Sequence, residues 1–150
     1  MHCPFCLRKT TQVTNSRDTH EGRQTWRRRK CVYCNEVFTT YEVIDLSYVV
    51  VIKKTGQTEI FDRMKLFSGI YGATVGLRIE NKEKLVDKIT KEIEGKILFL
   101  KKKKIESHEI GELVLQTLVK HDIQTFLRFL ARFKAIKTAS HLQREIKNYI

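Results

Sequence analysis

Four cysteines stand at positions 3, 6, 31 and 34, forming two Cys-x-x-Cys pairs with 24 residues between them. Each pair can turn two thiolates toward one ion, and two pairs close a tetrahedral site with Zn–S distances of about 2.3 Å. Zinc held by Cys3, Cys6, Cys31 and Cys34 is the first expectation. A four-thiolate iron site asks for the same spacing. Redox-active thiols are a third reading, although a thioredoxin-like pair needs a βαβ setting that this stretch lacks. Four thiolates leave no open coordination position, so the metal is expected to be structural, one per chain. His2, beside Cys3, reads as an exposed residue.

All four cysteines fall in the first 34 residues, and no apolar run near Met1 has the form of a secretion signal. The expected compartment is a reducing cytoplasm, where clustered cysteines bind metal in preference to forming disulfides. No apolar run approaches the roughly 18 residues of a membrane span, so no membrane partner is expected.

Against the second cysteine pair lies "WRRRKCVYC", residues 26–34. Adjacent cations repel, so the run is either a solvated strand that offsets thiolate charge or a surface for a polyanion. Residues 1–45 hold 8 Lys/Arg and 5 Asp/Glu, a net of +3, and zinc with four thiolates adds −2. The module is therefore nearly neutral, with its positive charge concentrated in Arg23, Arg27, Arg28, Arg29 and Lys30, and with Arg17 as a further candidate. In a strand, alternation puts Arg28 and Lys30 on the face of Trp26. Arginine forks match phosphates and guanine edges, which suits duplex DNA.

These residues need elements to position them. Residues 1–45 are too poor in Leu and Ile to bury a core, and segments of this size usually rely on a metal or disulfides. From Leu46 the pattern changes to that of a core-forming domain. "SYVVVIKKTGQTEIF" predicts a strand, a turn over residues 54–57 and a short second strand. Asp62 caps a predicted helix to about Thr74, followed by a loop through "TVGLRIEN". Asn81 opens a helix on which Leu85, Ile89, Ile93 and Ile97 make one apolar face, ending in four lysines at 101–104. Ser107 and Asp122 are predicted caps of two more helices, and Ser140 with Gln143 a capping box for the last.

Residues 46–150 carry 21 Lys/Arg against 12 Asp/Glu, a net of +9, within a chain total of +12. Such a balance points to an anionic partner. No Walker-type phosphate loop is present, and the scattered histidines and carboxylates suggest no catalytic constellation, so no enzyme is expected. By residue type alone, Lys53, Lys54 and Lys65 flank a turn and a helix start where an anion could bind, although ordinary surface lysines are the favoured reading. Phe126, Phe129 and Phe133 follow helical spacing and read as core.

Taken together, "MHCPFC", "VTNSR", "RRRKC" and "FTTYE" resemble the zinc ribbon of the NrdR family, bacterial repressors of ribonucleotide reductase genes. "VIKKTGQTEIFDRMKL", "IGELVLQTL" and "FLRF" resemble the ATP-cone that follows it. The resemblance runs over residues 1–138 in the family's order. It implies an α+β fold: a small zinc ribbon at 1–45, a mostly helical ATP-cone with a β-hairpin at 46–138, and a helical tail at 139–150. It further implies binding of promoter DNA through Arg17, Arg27, Arg28, Arg29 and Lys30. ATP and dATP would meet the cone at Val51, Lys53, Lys54, Glu59 and Lys65, setting the state of a homo-oligomer. Asn15 stands where the family usually has Asp, Lys54 where it has Arg, and Phe126 and Phe133 where it has Tyr. The other readings are a reductase regulator that acts on nucleotide without DNA, and a zinc-ribbon module that docks on a protein.

Overall fold

The computed structural model describes residues 1–20 and 22–150, which divide into two compact units, Met1–Asp45 and Leu46–Ile150. The first unit is a three-stranded antiparallel sheet in the order β1 (Thr11–Thr19), β2 (Gln24–Cys31), β3 (Val37–Val43). Runs of Thr, Val and aromatic residues favour these extended segments. Gly22, at φ +80, gives the β1–β2 turn a left-handed residue that costs glycine nothing. β3 was not among the sequence expectations. It exists because the second cysteine pair reverses the chain and lays "VFTTYEV" back along β2.

The second unit opens with an antiparallel hairpin, β4 (Val50–Ile52) and β5 (Thr58–Ile60), where the sequence predicts one. α1 (Arg63–Thr74) follows, and the Asp62 carboxylate accepts from the Met64 backbone N–H at 2.8 Å as its cap. α2 (Lys82–Leu100) supplies the central face, with Val86, Ile89, Ile93 and Ile97 buried and Leu85 only partly so. Asn81 does precede α2, but in the left-handed region and without a side-chain cap bond. The four lysines are not the helix end: α2 stops at Leu100, Lys101 turns left-handed at φ +53, and Lys104 enters a strand.

That strand, β6 (Lys104–Glu106), is absent from the sequence reading. It pairs parallel to β4, with Ile52 opposite Glu106, and gives the sheet order β5-β4-β6. α3 (Ser107–His121) follows without a break, so its cap position is Glu106 and not Ser107, and Glu106 makes no side-chain cap bond. α4 (Ile123–Phe133) is capped by Asp122, whose carboxylate accepts from the Thr125 N–H at 2.7 Å. α5 (Ala139–Ile146) is capped by Thr138, not Ser140, through a 3.2 Å bond from the His141 N–H.

Ile70, Ile105, Val114, Leu115, Leu118, Phe126 and Leu130 complete the core with the α2 face. Phe126 is fully buried, whereas Phe129 and Phe133 are half-buried against the bundle. Gly111 lets the Phe133 ring sit on α3, because a Cβ there would fall 2.1 Å from it. The last residues close over this region. Leu142, Ile146 and Tyr149 pack against the core, and the Tyr149 ring meets Phe126 edge-on at 5.6 Å between centroids.

Candidate functional site

The cysteine pairs form two turns of the same design. The Cys3 N–H donates to the Arg8 carbonyl and the Cys31 N–H to the Glu36 carbonyl, both at 2.9 Å. Each turn passes through a left-handed residue one position after its second cysteine: Leu7 at φ +59 and Asn35 at φ +59. All four sulfurs lie within 4.8 Å of one another, with Cys3–Cys34 and Cys6–Cys31 both at 3.6 Å. Sulfurs about 2.3 Å from a common tetrahedral ion sit about 3.8 Å apart, whereas disulfide sulfurs sit at about 2.0 Å. The spacing fits a shared zinc ion.

The electrostatics of the cluster point the same way. Cys31 is held down to about 6, first by the Cys34 backbone N–H, against burial and with help from the Tyr33 N–H at 3.4 Å. The Glu36 backbone N–H favours a Cys34 thiolate, yet desolvation and the sulfurs of Cys31, Cys3 and Cys6 push that thiol up to about 12. A divalent cation would supply the charge that lets the Cys34 thiolate form beside its neighbours.

β2 ends at Cys31, so the strand carrying "WRRRK" is continuous with a metal-ligand position. Its alternation divides the basic run. Arg27 pairs with Glu42 at 2.6 Å, and the Arg29 Nε donates to Thr40 Oγ1 at 3.0 Å; both side chains are half-buried. Arg28 and Lys30 are exposed on the opposite face and have no ion-pair partner among the described residues. Arg17 stands opposite Trp26 in register and lays its guanidinium over the indole, 4.5 Å from the ring centroid. A bulge at Thr14, whose hydroxyl donates to the Arg28 carbonyl at 3.2 Å, leaves Asn15 facing Arg28.

In the second unit, Glu59 on β5 lies between two lysines, Lys65 at 2.7 Å and Lys53 at 3.1 Å. The Lys65 ammonium, and then Lys53, hold the Glu59 carboxyl below its usual range. Val51, expected at the nucleotide, lies opposite Glu59 on the central strand of the sheet. Its side chain is buried in the core and its backbone is paired with β5, so it is not presented to a ligand. Lys53 and Lys54 line a cavity of about 170 Å³ together with Ile52, Glu106, Ser107 and His108. This is smaller than a typical ligand pocket of about 300 to 1,000 Å³, and has room for part of a ligand. Its floor is the start of α3, where the first N–H groups lack a side-chain cap and the helix dipole favours an anion.

Sequence reasoning missed Ser107 and His108 as cavity residues. They reach Lys53 and Lys54 only because β6 pairs with β4, and three strand residues inside a lysine-rich stretch carry no readable period. His108 also stacks on Phe133, with 5.4 Å between centroids and an angle of 14°. Phe133 in turn stacks on Phe129 at 5.8 Å. Phe126, by contrast, is sealed in the core and reaches no surface.

The fold and these sites define a two-part protein, a four-cysteine zinc ribbon joined to an ATP cone, which is a nucleotide-binding domain. Residues 1–42 match the N-terminal domain of transcriptional repressor NrdR-like proteins, and residues 49–139 match the ATP cone domain. Over the whole chain it is 37% identical to a transcriptional repressor NrdR of Caldicellulosiruptor bescii, covering 97% of that protein. A repressor of the same name from Kosmotoga olearia is 36% identical over 99% of this chain and 94% of its own. Another, from Pelotomaculum thermopropionicum, is 36% identical over 100% of this chain and 89% of its own. The chain belongs to the NrdR family of transcriptional repressors, proteins that regulate transcription and are not enzymes. Among the described residues no helix is long and apolar enough to cross a membrane.

Proposed function

We propose that this protein represses ribonucleotide reductase genes by binding duplex promoter DNA through its ribbon, and that adenine nucleotide in the cone controls this binding. The observation that carries the reading is the continuity of β2. The strand that bears Arg27, Arg28, Arg29 and Lys30 ends in Cys31, one of four sulfurs spaced for zinc. Zinc on Cys3, Cys6, Cys31 and Cys34 supplies fixed structure and charge, and β2 then presents its exposed cations, Arg28 and Lys30, on a rigid support. Rigidity favours binding because ordering long side chains on contact costs affinity.

In the cone, Lys53, Lys54 and Lys65 hold phosphates and Glu59 accepts from the sugar or base. Ser107 and His108 join the phosphate end, where the α3 N-terminus adds its dipole. ATP and dATP share the phosphates, so discrimination falls to groups outside the lysines.

One ribbon reaches few phosphates, and useful affinity for an operator requires two or more ribbons on a homo-oligomer. The nucleotide selects which oligomer is populated, and the oligomer sets the ribbon spacing. The protein acts in the cytoplasm, where both DNA and nucleotides are at hand. The test is a titration of fluorescent promoter duplex in rising salt, with zinc-loaded and zinc-stripped protein. The reading expects tight binding that weakens steeply with salt and vanishes without zinc. Binding that is absent, or insensitive to salt, overturns it.

A further inference from the structure

The basic run does not face one way. Partners across an antiparallel sheet point to the same side, and the register divides the ribbon's charged residues into two sets. Arg17, Trp26 and Tyr41 form one row across β1, β2 and β3; Asn15, Arg28 and Thr39 form the next; Gln12, Lys30 and Val37 the third. Among the described residues, these rows hold three cations, Arg17, Arg28 and Lys30, and no carboxylate, a net of +3. The other face has Arg27 and Arg29, offset by Asp18 and Glu42, a net of zero.

Burial follows the same division. Arg17, Asn15, Arg28 and Lys30 are exposed, while Arg27 and Arg29 are half-buried and bonded to β3. The neutral face also takes the first cysteine turn, since Phe5 packs edge-on against Phe38 with 6.4 Å between centroids. One side of the sheet is therefore braced by its own pairs and balanced in charge, and the other is open and unbalanced in charge.

We propose that the open face alone contacts DNA: Arg28 and Lys30 bind phosphate oxygens, Arg17 is a fork pre-set on Trp26, and the neutral amide of Asn15 keeps Arg28 free for the DNA. Arg27 and Arg29 tie β3 to β2 and do not touch it. This rests on the DNA-binding reading above and assigns its two sides. The Trp26 indole covers one side of the Arg17 guanidinium and leaves the in-plane N–H donors outward, so less side-chain freedom is lost on contact. Cross-strand placement makes residue 15 decisive for Arg28. A carboxylate there would pair with the guanidinium in the free protein, as Glu42 pairs with Arg27, and would meet the phosphates with like charge.

The experiment compares wild type, Arg28→Ala, Arg27→Gln and Asn15→Asp on one fluorescent promoter duplex over a salt series, with zinc content measured for each. Arg28→Ala is expected to lose about tenfold or more in affinity and to flatten the salt slope by about 1. Asn15→Asp is expected to flatten it by a similar amount, because one cation is neutralised. Arg27→Gln should keep the wild-type slope with a full zinc complement. Equal slope changes in Arg27→Gln and Arg28→Ala overturn the one-sided face but leave DNA binding intact. An Asn15→Asp variant with wild-type affinity removes Asn15 from the proposal. No binding by wild type overturns both this inference and the reading beneath it.

Discussion

The Lys65 ammonium donates to the Glu59 carboxylate at 2.7 Å, and Lys53 approaches the same carboxylate from the other side at 3.1 Å. The two cations assigned to nucleotide phosphates are thus held together, before any ligand arrives, by one acid on β5. Lys53→Ala and Lys65→Ala are each expected to weaken ATP and dATP together, since phosphates are common to both. Charge-assisted contacts contribute roughly 1.5 to 3 kcal/mol, so each affinity should fall about tenfold or more in calorimetry. Unchanged affinity in both variants would remove the lysines from the site.

Zinc should behave as folding energy for the first unit alone, because that unit has no large apolar core of its own. Cys31→Ser is expected to disperse neither β1 nor β2 amides in NMR spectra, while the Leu46–Ile150 amides keep their native shifts. Purified protein should hold about one zinc per chain. Ribbon amides that stay dispersed in a metal-free sample would contradict this.

Leu7 offers a milder test of the same turns. It is exposed and holds φ +59, a region that costs an L-residue roughly 1 to 2 kcal/mol. Asn35, at the matching position of the other turn, is a type that tolerates it. Leu7→Gly should stabilise the zinc-loaded ribbon by about 1 kcal/mol in chemical unfolding. Destabilisation would mean that the Leu7 side chain makes contacts its exposure does not suggest.

The C-terminal residues give a pH prediction. The Tyr149 hydroxyl donates to Glu112, which also takes the Lys134 ammonium. Burial, and then the Glu112 carboxylate, raise the Tyr149 phenol above its ordinary range. Burial opposes ionisation of Glu112, but Lys134 and Tyr149 overcome it and lower that carboxyl. A lowered carboxylate adds stability at neutral pH that fades as pH falls below about 4.5; a raised phenol adds stability that fades above about pH 10. Docking of α5 should therefore weaken at both ends of the range. Thermal unfolding of Tyr149→Phe should show a smaller alkaline fall than wild type, the remainder coming from other raised groups such as Tyr71 beside Glu83 and Lys65 beside Glu59. The same fall in both proteins would refute the assignment.

Local signals made much of this legible in the sequence. The cysteine spacing, the hairpin around Gly56, and the Asp62 and Asp122 caps each depend on residues within a few positions of one another, and each is found where expected. What escaped depends on distant partners. β6 is three residues long and exists through its pairing with β4, so neither Ser107 nor His108 carries a local sign of meeting Lys53. Ser107 and Ser140 were plausible caps by type, but Glu106 and Thr138 hold those positions because β6 runs straight into α3 and Thr138 reaches the His141 N–H. The two-sidedness of "WRRRK" was half visible. Alternation separates Arg28 from Arg27, but only β3 supplies Glu42 and Thr40 to occupy the second face.

The central claim is that the cone controls the ribbon by choosing the oligomer, without touching DNA. It is tested most directly by exchanging dATP for ATP while promoter affinity and particle mass are followed in one sample, by anisotropy and by light scattering. The account predicts that affinity and mass change together on exchange, and that Lys53→Ala and Lys65→Ala blunt both changes. Promoter affinity that is identical with either nucleotide while the mass shifts would contradict it.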